Sequence, residues 1–309
     1  MIAGAAGARG PRARGAAAVL VLAVWHGEAA AGVDDATLSA ALTLARRNGV
    51  AGRLAAVYRD RLGDEAEAAR WRRRRYRRNV RVAVGCLAAA GVRPILIKEE
   101  PDGAGEYGDF DLLVDPAEWS SAVAGLRRWA VVEERARLEP GKLLLHPLEG
   151  PAAHLHRRVG WLGVTILATA DVRATAVADR ELACDRPGSA CAGAILLAEA
   201  LFQTLTLTAS QLLTLQRLVE SGADGAAGRL AAGGGWGRSF QGVLDVGLVA
   251  LAELRAGRPV RLPVPLPSGL AAAAGWEHAV HLARRRRWPS AARELALRGP
   301  LVLAKRRRR

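Results

Sequence analysis

Asp109 and Asp111 stand two residues apart at the start of a short apolar run, with Phe110 between them. In a β-strand, residues i and i+2 point to the same face, roughly 6–7 Å apart, so both carboxylates project together and Phe110 points the opposite way. Two carboxylates held like this can ligate a pair of divalent cations, which then clamp the oxygens of a phosphoryl transfer. The pair therefore predicts a catalytic two-metal site, and the alternative is two solvated acids at the start of a strand.

Another apolar segment, residues 92–97, precedes the aspartates and ends at Lys98. Its composition predicts a second short strand, which a loop rich in glycine and acidic residues connects to the first. A lysine at the end of that strand, beside the carboxylates, can neutralise a triphosphate as a point charge. Lys98 is therefore a candidate nucleotide-binding residue, with an ordinary surface lysine as the alternative.

His154 and His156 also stand two apart in a predicted strand, so their side chains share one face. Two interpretations stay open at this point. The histidines form a buried, hydrogen-bonded pair, or they share the metal or triphosphate site with the aspartates.

Helical and strand-like patterns alternate along the chain in three blocks. Apolar residues follow helical spacing from 34 to about 90, strand patterns with one helix fill 91–167, and helical spacing returns after 171. This pattern predicts an α+β fold in which a small mixed sheet carries the candidate site. The predicted units are an N-terminal helical segment (1–76), the mixed-sheet core (77–170) and a C-terminal helical region with a basic tail (171–309).

The C-terminal region gives more specific expectations. Residues 192–220 read as one long apolar-rich helix, residues 222–237 as a loop, and the proline-rich residues 259–267 as an extended linker. His278 and His281 have helical i, i+3 spacing, and a solvated helix face is favoured there over a metal site.

Arginine dominates the charge of the chain. The net formal charge is +15, and nearly all of the 45 basic residues are arginine. Clustered arginines bind polyanions by releasing counterions, so nucleic acid is one predicted partner, and compositional drift is the other explanation. The cluster at 70–78 contains Trp71 and Tyr76, which suits RNA because aromatic rings stack on bases. A solvated helix anchored by two aromatic side chains is the alternative.

Cysteine use and hydropathy indicate the compartment. The three cysteines have no CxxC spacing, which supports neither a disulfide framework nor a zinc site and favours the cytoplasm. Residues 1–32 combine arginines, an apolar run and small residues, so they fit either a signal peptide or a loose start before a buried first helix. No apolar run reaches the ~18 residues that a membrane-spanning helix requires, so no span is predicted.

Residues 41 to about 220 resemble the uncharacterised nucleotidyltransferase family of the polymerase-β-type superfamily. The likeness lies in a helical lead-in, in an Ala-Gly-Val turn into a strand that ends in lysine, and in a Gly-Asp-hydrophobic-Asp-Leu-Leu-Val segment. A further stretch resembles the family's acid-hydrophobic-His motif before an aromatic residue. The matching stretches are 41–50, 90–98, Gly108 to Val114, and His154-Leu155-His156 with Trp161.

The resemblance implies a small mixed sheet and transfer of an NMP from an NTP to an unidentified acceptor by a two-metal mechanism. Asp109 and Asp111 would be the catalytic residues and would hold Mg²⁺ (or Mn²⁺). Lys98 and Gly108 would contact the nucleotide. In the same scheme His154 would be a metal ligand, or would stand in for one, with His156 in support.

Two positions depart from the family's pattern. Glu99 stands where the family has a glycine after the strand lysine, and His154 stands where it has a third acid. Histidine can ligate divalent metals, but hard Mg²⁺ prefers oxygen ligands. Either another acid such as Glu149 or Asp171 completes the site, or activity is reduced or lost. The alternative function is a catalytically impaired protein of the same fold that binds nucleotide or nucleic acid.

The chain lacks the sequence motifs of several other enzyme classes. The glycines of the loop before Asp109 match neither a Walker A sequence nor a dinucleotide-binding fingerprint. There is also no GxSxG motif for a serine nucleophile. A P-loop NTPase, a Rossmann enzyme and a hydrolase are therefore disfavoured.

Overall fold

A computed structural model describes residues 15–97, 108–134, 139, 141–161 and 164–307, with side chains outside the description at 134, 164 and 298–307. Within these residues the chain is an α+β protein, as predicted, with helical segments before and after a seven-stranded mixed sheet. No helix in the described ranges is long and apolar enough to cross a bilayer.

The helices and strands of the described residues have the following bounds. The α-helices are α1 (Ala16–Val21), α2 (Asp35–Arg47), α3 (Ala51–Val57), α4 (Gly63–Ala88), α5 (Trp119–Leu126), α6 (Thr169–Ala174), α7 (Ser189–Glu199), α8 (Ala209–Glu220), α9 (Asp224–Gly233), α10 (Gly237–Arg255), α11 (Ser268–Arg284) and α12 (Trp288–Arg307). The strands are β1 (Ile95–Leu96), β2 (Asp109–Leu113), β3 (Ala130–Glu134), β4 (Lys142–Pro147), β5 (Ala152–His156), β6 (Val159–Trp161), β7 (Val164–Leu167), β8 (Val177–Asp179), β9 (Cys184–Arg186), β10 (Thr206–Leu207) and β11 (Val264–Pro265). Two π-helical segments, Leu22–His26 and Ala200–Thr204, continue α1 and α7.

The main sheet has the strand order β3-β4-β5-β2-β1-β9-β8. Strand β2 lies in its centre, parallel to β5 and antiparallel to β1. Strand β9 pairs with β1 in parallel, so the edge of β1 is covered by a strand from beyond residue 170. The sheet therefore extends past the range 77–170 in which the sequence analysis placed the core.

The alternation of β2 assigns each of its residues to one of two cores. Phe110 and Leu112 are buried with the apolar face of α4 and with α5. Leu113 points to the opposite face and belongs to the larger core, together with Ile95 and Ile97. That second core is built mainly by the N-terminal and C-terminal helices, so Asp109 and Asp111 face those helices.

Local sequence explains where several helices begin. Asp34 caps α2 by accepting a hydrogen bond from the Thr37 amide at 2.7 Å. Thr208 and Gln211 form a capping box at the start of α8. Helix α1 buries Val19 and Leu20 completely in the larger core.

Two expectations for the C-terminal region are wrong, and a third, the extended linker, omitted a strand pairing. The predicted helix 192–220 is broken, because Leu205 has a φ of 58° and a short strand, β10, separates α7 from α8. Most of the predicted loop 222–237 is helix α9. The proline-rich segment 259–267 contributes β11, which pairs with β10.

His278 was expected on a solvated helix face, but it is buried, with only 1% of its surface exposed. It lies on α11 with its ring edge-on to Phe202 and its Nδ1 3.8 Å from a carboxylate oxygen of Glu294 on α12. Packing of α12 over α11 covers this residue, which single-helix spacing does not show.

Candidate functional site

Two parallel neighbours, β2 and β5, bring the predicted site residues together. Their register sets Asp109 beside Ala152, Asp111 beside His154, and Leu113 beside His156. Since paired residues of adjacent strands point to the same side of a sheet, both aspartates and both histidines project from one face. The face is the one covered by the C-terminal helices.

Both histidines contact one carboxylate oxygen of Asp111. Asp111 Oδ1 accepts hydrogen bonds from His154 Nδ1 at 2.8 Å and from His156 Nε2 at 2.9 Å. Asp109 Oδ2 lies 3.5 Å from the same His154 nitrogen. The ligand atoms of Asp111, His154 and His156 all lie within 4.8 Å of one another. One ion placed among them can therefore contact all three.

Burial differs along this cluster. The exposed fraction of the side chain is 9% for His156, 14% for Asp111, 15% for His154 and 31% for Asp109. Asp111 is thus held inside by its two imidazole partners. Asp109 is the carboxylate that a ligand reaches first.

Burial lowers the pKa of the His156 imidazole below its ordinary value of 6.5. Its hydrogen bond to Asp111 acts in the opposite direction without outweighing burial, and the positive charge of Lys142 adds to the lowering. His156 is therefore neutral near pH 7. The neutral imidazole is the form that binds metals.

A small cavity of about 40 Å³ opens over the cluster. One water molecule needs a cavity of only ~10–15 Å³, so an ion with a few waters fits. Besides the four predicted residues, its wall includes Lys142 of β4, Glu199 at the end of α7, and Gln203. Gln203 Oε1 accepts a hydrogen bond from Trp161 Nε1 at 2.5 Å, which joins two sides of the wall.

Glu199 is the third carboxylate at this site, and it was not among the residues predicted from the sequence. Glu149 and Asp171, the acids suggested as substitutes, are not among the described residues that line the small cavity. The π-helical continuation of α7 begins directly after Glu199. An acid inside an apolar helix was the available signal, but the predicted unbroken helix 192–220 gave no reason to place it beside β2.

A larger cavity of about 530 Å³ adjoins the small one. Four residues line both cavities: Ile97, Asp109, Ile195 and Glu199. The larger wall combines the sheet edge with α7 and α8, and it carries the cations Arg186 and Arg217 as well as several hydroxyl groups. Its volume is in the ~300–1,000 Å³ range of small-molecule sites.

The predicted nucleotide-binding residues have different outcomes. Gly108 lines the larger cavity directly before β2. Lys98 lies outside the described residues. Arg186 and Arg217 are cations that the sequence analysis did not assign, and Arg186 Nε is paired with Asp179 Oδ2 at 2.5 Å.

The donor atoms do not match Mg²⁺ well. Mg²⁺ takes octahedral oxygen ligands and keeps several waters, whereas imidazole nitrogen suits later first-row transition metals. Asp111, His154 and His156 offer two nitrogens and one carboxylate. Asp109 and Glu199 add oxygens to the same cavity, so a divalent cation fits but an oxygen-only set does not form.

The arginine cluster on α4 is partly neutralised by internal ion pairs. Arg72 donates to Glu65 at 2.5 Å, and Arg77 pairs with Glu181. Arg75 stacks over the exposed Trp71 ring at 5.0 Å. This face of α4 therefore keeps an exposed aromatic ring on which a base can stack. Its ion pairs neutralise part of the positive charge that the sequence suggests.

Comparison with known proteins adds no relative to this picture. No protein-family model, no curated protein and no solved structure matches the chain.

Proposed function

We propose that this protein is a nucleotidyltransferase of the polymerase-β type, which moves an NMP from an NTP to an acceptor that is not identified. One observation carries the proposal: Asp109 lines both the small cavity over the Asp/His cluster and the 530 Å³ cavity beside it. A carboxylate in this position connects a cation site to a space large enough for a nucleotide. The order of the strands, with Asp111 beside His154, supports the same proposal.

The nucleotide would occupy the larger cavity. Arg186 and Arg217 supply positive charge for its phosphates, and apolar side chains such as Ile97 and Leu196 supply a surface for the base. A divalent cation, when bound by Asp111, His154 and His156 beside Asp109, would supply charge neutralisation at the phosphates.

The proposed transfer is a single displacement at phosphorus, in which one P–O bond forms and another breaks. The acceptor's hydroxyl oxygen attacks the α-phosphorus, the bond to the bridging oxygen breaks, and pyrophosphate leaves. Asp109 is the more exposed carboxylate and so is the group that we assign to accept the hydroxyl proton. Asp111 is held by two imidazoles, so we assign it with His154 and His156 to the cation site and not to proton transfer.

Label transfer from [α-³²P]NTPs tests the proposal. The full chain is incubated with each NTP, with Mg²⁺, Mn²⁺ or Zn²⁺, and with protein, RNA and small hydroxyl compounds as acceptors. We expect Asp109→Asn to reduce transfer by about 100-fold or more, because it removes a group that acts in the transition state. Asp245→Asn is the matched control, since Asp245 lies on α10 and hydrogen-bonds Gln241. Equal transfer by wild type and Asp109→Asn contradicts the proposal.

A second candidate function is nucleotide or nucleic-acid binding without turnover. It is favoured by His154, which stands where the resembled family has an acid, and by the Arg75–Trp71 stack on α4. Saturable NTP or RNA binding without label transfer in any metal supports this function instead.

We further propose a reducing, cytoplasmic location. The three cysteines of the chain are all free thiols. Burial raises the pKa of Cys184 to about 11, so this thiol stays protonated and unreactive at neutral pH. Fractionation of a tagged full chain checks the location.

A further inference from the structure

We infer that Asp111, His154 and His156 hold one transition-metal ion of the imidazole-binding class, represented by Zn²⁺, in preference to Mg²⁺. The inference deepens the proposed function by naming its ion. It rests on that function only for the role of the ion, because binding is measured without turnover.

The ligand atoms are already close to a metal-binding arrangement. Ligands about 2.1 Å from one ion lie roughly 3–3.5 Å apart in tetrahedral or octahedral geometry. Asp111 Oδ1 lies 2.8 Å from His154 Nδ1 and 2.9 Å from His156 Nε2, and Asp109 Oδ2 lies 3.5 Å from the former nitrogen. Small side-chain shifts, with the proton of each ligating nitrogen moved to the other nitrogen of its ring, therefore suffice to admit an ion.

The ligands stand on paired strands, which hold side chains more precisely than loops do. Asp111 and His154 are register partners in the centre of a seven-stranded sheet, and His156 follows on the same face. Precise placement favours one geometry and so favours selectivity among metals.

The cavity leaves coordination positions open. Three protein ligands plus an open position is the pattern of catalytic zinc sites. Asp109 and Glu199 also line this cavity of about 40 Å³. A water or a phosphate oxygen can complete the coordination there.

A positively charged side chain, that of Lys142, lies close to the metal ligands. Lys142 is the β4 partner of His156 and lines the same cavity. Its Nζ lies 3.5 Å from a carboxylate oxygen of Glu139, which offsets its repulsion of a bound ion.

A surface pair on the same sheet provides a matched control. His146 Nε2 lies 2.9 Å from Glu133 Oε2, across β3 and β4. This pair has the same imidazole–carboxylate contact, but it is about half exposed, and none of the described His, Cys, Asp or Glu side chains completes a metal group there.

Cobalt absorbance tests the inference. Chelator-treated full-length protein is titrated with Co²⁺, whose visible absorption reports nitrogen ligation, and then competed with Zn²⁺ or with a thousandfold excess of Mg²⁺. We expect one Co²⁺ per chain, displaced by Zn²⁺ and retained in Mg²⁺. His156→Gln should weaken Co²⁺ binding by about 100-fold or more, whereas His146→Gln should leave it unchanged.

His154→Asp gives an independent arm, because it converts one nitrogen ligand to oxygen. We expect it to weaken Co²⁺ binding and to strengthen Mg²⁺ binding by about tenfold or more, with far-UV circular dichroism as the check on folding. The inference is overturned if wild type binds no Co²⁺, if Mg²⁺ displaces it, or if His146→Gln has the same effect as His156→Gln. Zinc binding without label transfer leaves this inference standing while the proposed transfer fails, and Mg²⁺-supported transfer without Co²⁺ binding does the reverse.

Discussion

Asp111 shows how a single carboxylate organises its neighbours. Its Oδ1 accepts hydrogen bonds from two imidazoles, so it fixes the ring orientation of His154 and His156 at once. A buried hydrogen bond to a charged group contributes about 1.5–3 kcal/mol, and loss of the acceptor leaves the donors unpaired. The acid is therefore structural as well as a candidate ligand.

The protonation of His156 predicts a pH-dependent stability. Its pKa is lowered in the folded protein, mainly by burial, and is 6.5 ordinarily. Below pH 6.5 the unfolded chain binds a proton that the folded chain resists, so the free energy of unfolding falls as the pH falls through this window. Urea denaturation of metal-free protein between pH 5 and pH 8 measures the slope.

The comparison uses two histidine variants. His156→Gln should flatten the slope below pH 6.5, and His146→Gln should leave it intact, since His146 is about half exposed. An unchanged slope in His156→Gln would show that another group controls the dependence.

Helix α5 approaches α4 through a glycine. A Cβ built at Gly125 would lie 2.9 Å from the Cys86 carbonyl oxygen and 3.0 Å from the Ala90 Cβ. One of these atoms belongs to the backbone, so a side-chain rotation cannot relieve the contact. This close approach packs α5 against α4 over the sheet face that carries Phe110.

This contact predicts opposite effects for two glycine substitutions. Gly125→Ala should destabilise the protein by about 1–3 kcal/mol, because overpacking outweighs the gain in helix propensity. Gly85→Ala on α4 is the matched control, since a Cβ there meets nothing within 4 Å. It should stabilise by about 0.5–1 kcal/mol. Urea denaturation measures both, and a stabilising Gly125→Ala would refute the packing argument.

The larger core joins all three predicted units of the chain. It contains Leu20 of α1, Leu113 of the sheet and Leu212 of α8 in one buried cluster. The sheet itself takes β8 and β9 from beyond residue 170. Each predicted unit therefore buries apolar surface against the other two. No single unit forms a core as large as this shared one.

Shared burial predicts that the whole chain unfolds in one cooperative step. Far-UV circular dichroism and tryptophan fluorescence should give the same melting temperature, because each of the two cores contains residues from all three units and β2 contributes to both. Gly125→Ala should lower both temperatures equally. Two separate transitions would show instead that the units 1–76, 77–170 and 171–309 unfold independently.

Local pattern was sufficient for much of the fold. Two-residue alternation set Asp109 and Asp111 on one face and buried Phe110 on the other, and helical spacing located α2, α4 and α10. These features depend on neighbours within a few residues, which the sequence contains in full. The α+β class follows from them.

Helical spacing alone does not show the break at Leu205. Residues 192–220 satisfy helical spacing throughout, yet a left-handed residue and the β10–β11 pair interrupt them. The partner strand lies about sixty residues away along the chain. The Thr208–Gln211 capping box was the local signal for a new helix start.

The sequence by itself determined that two aspartates and two histidines occupy strands, each pair on one face, because side-chain direction in a strand is a local property. Only the tertiary structure decided that β2 and β5 are parallel neighbours in a register that sets Asp111 against His154. It alone brought Glu199 and Lys142 to the same cavity. Strand order and helix packing depend on long-range burial of apolar surface, which one-dimensional spacing does not encode.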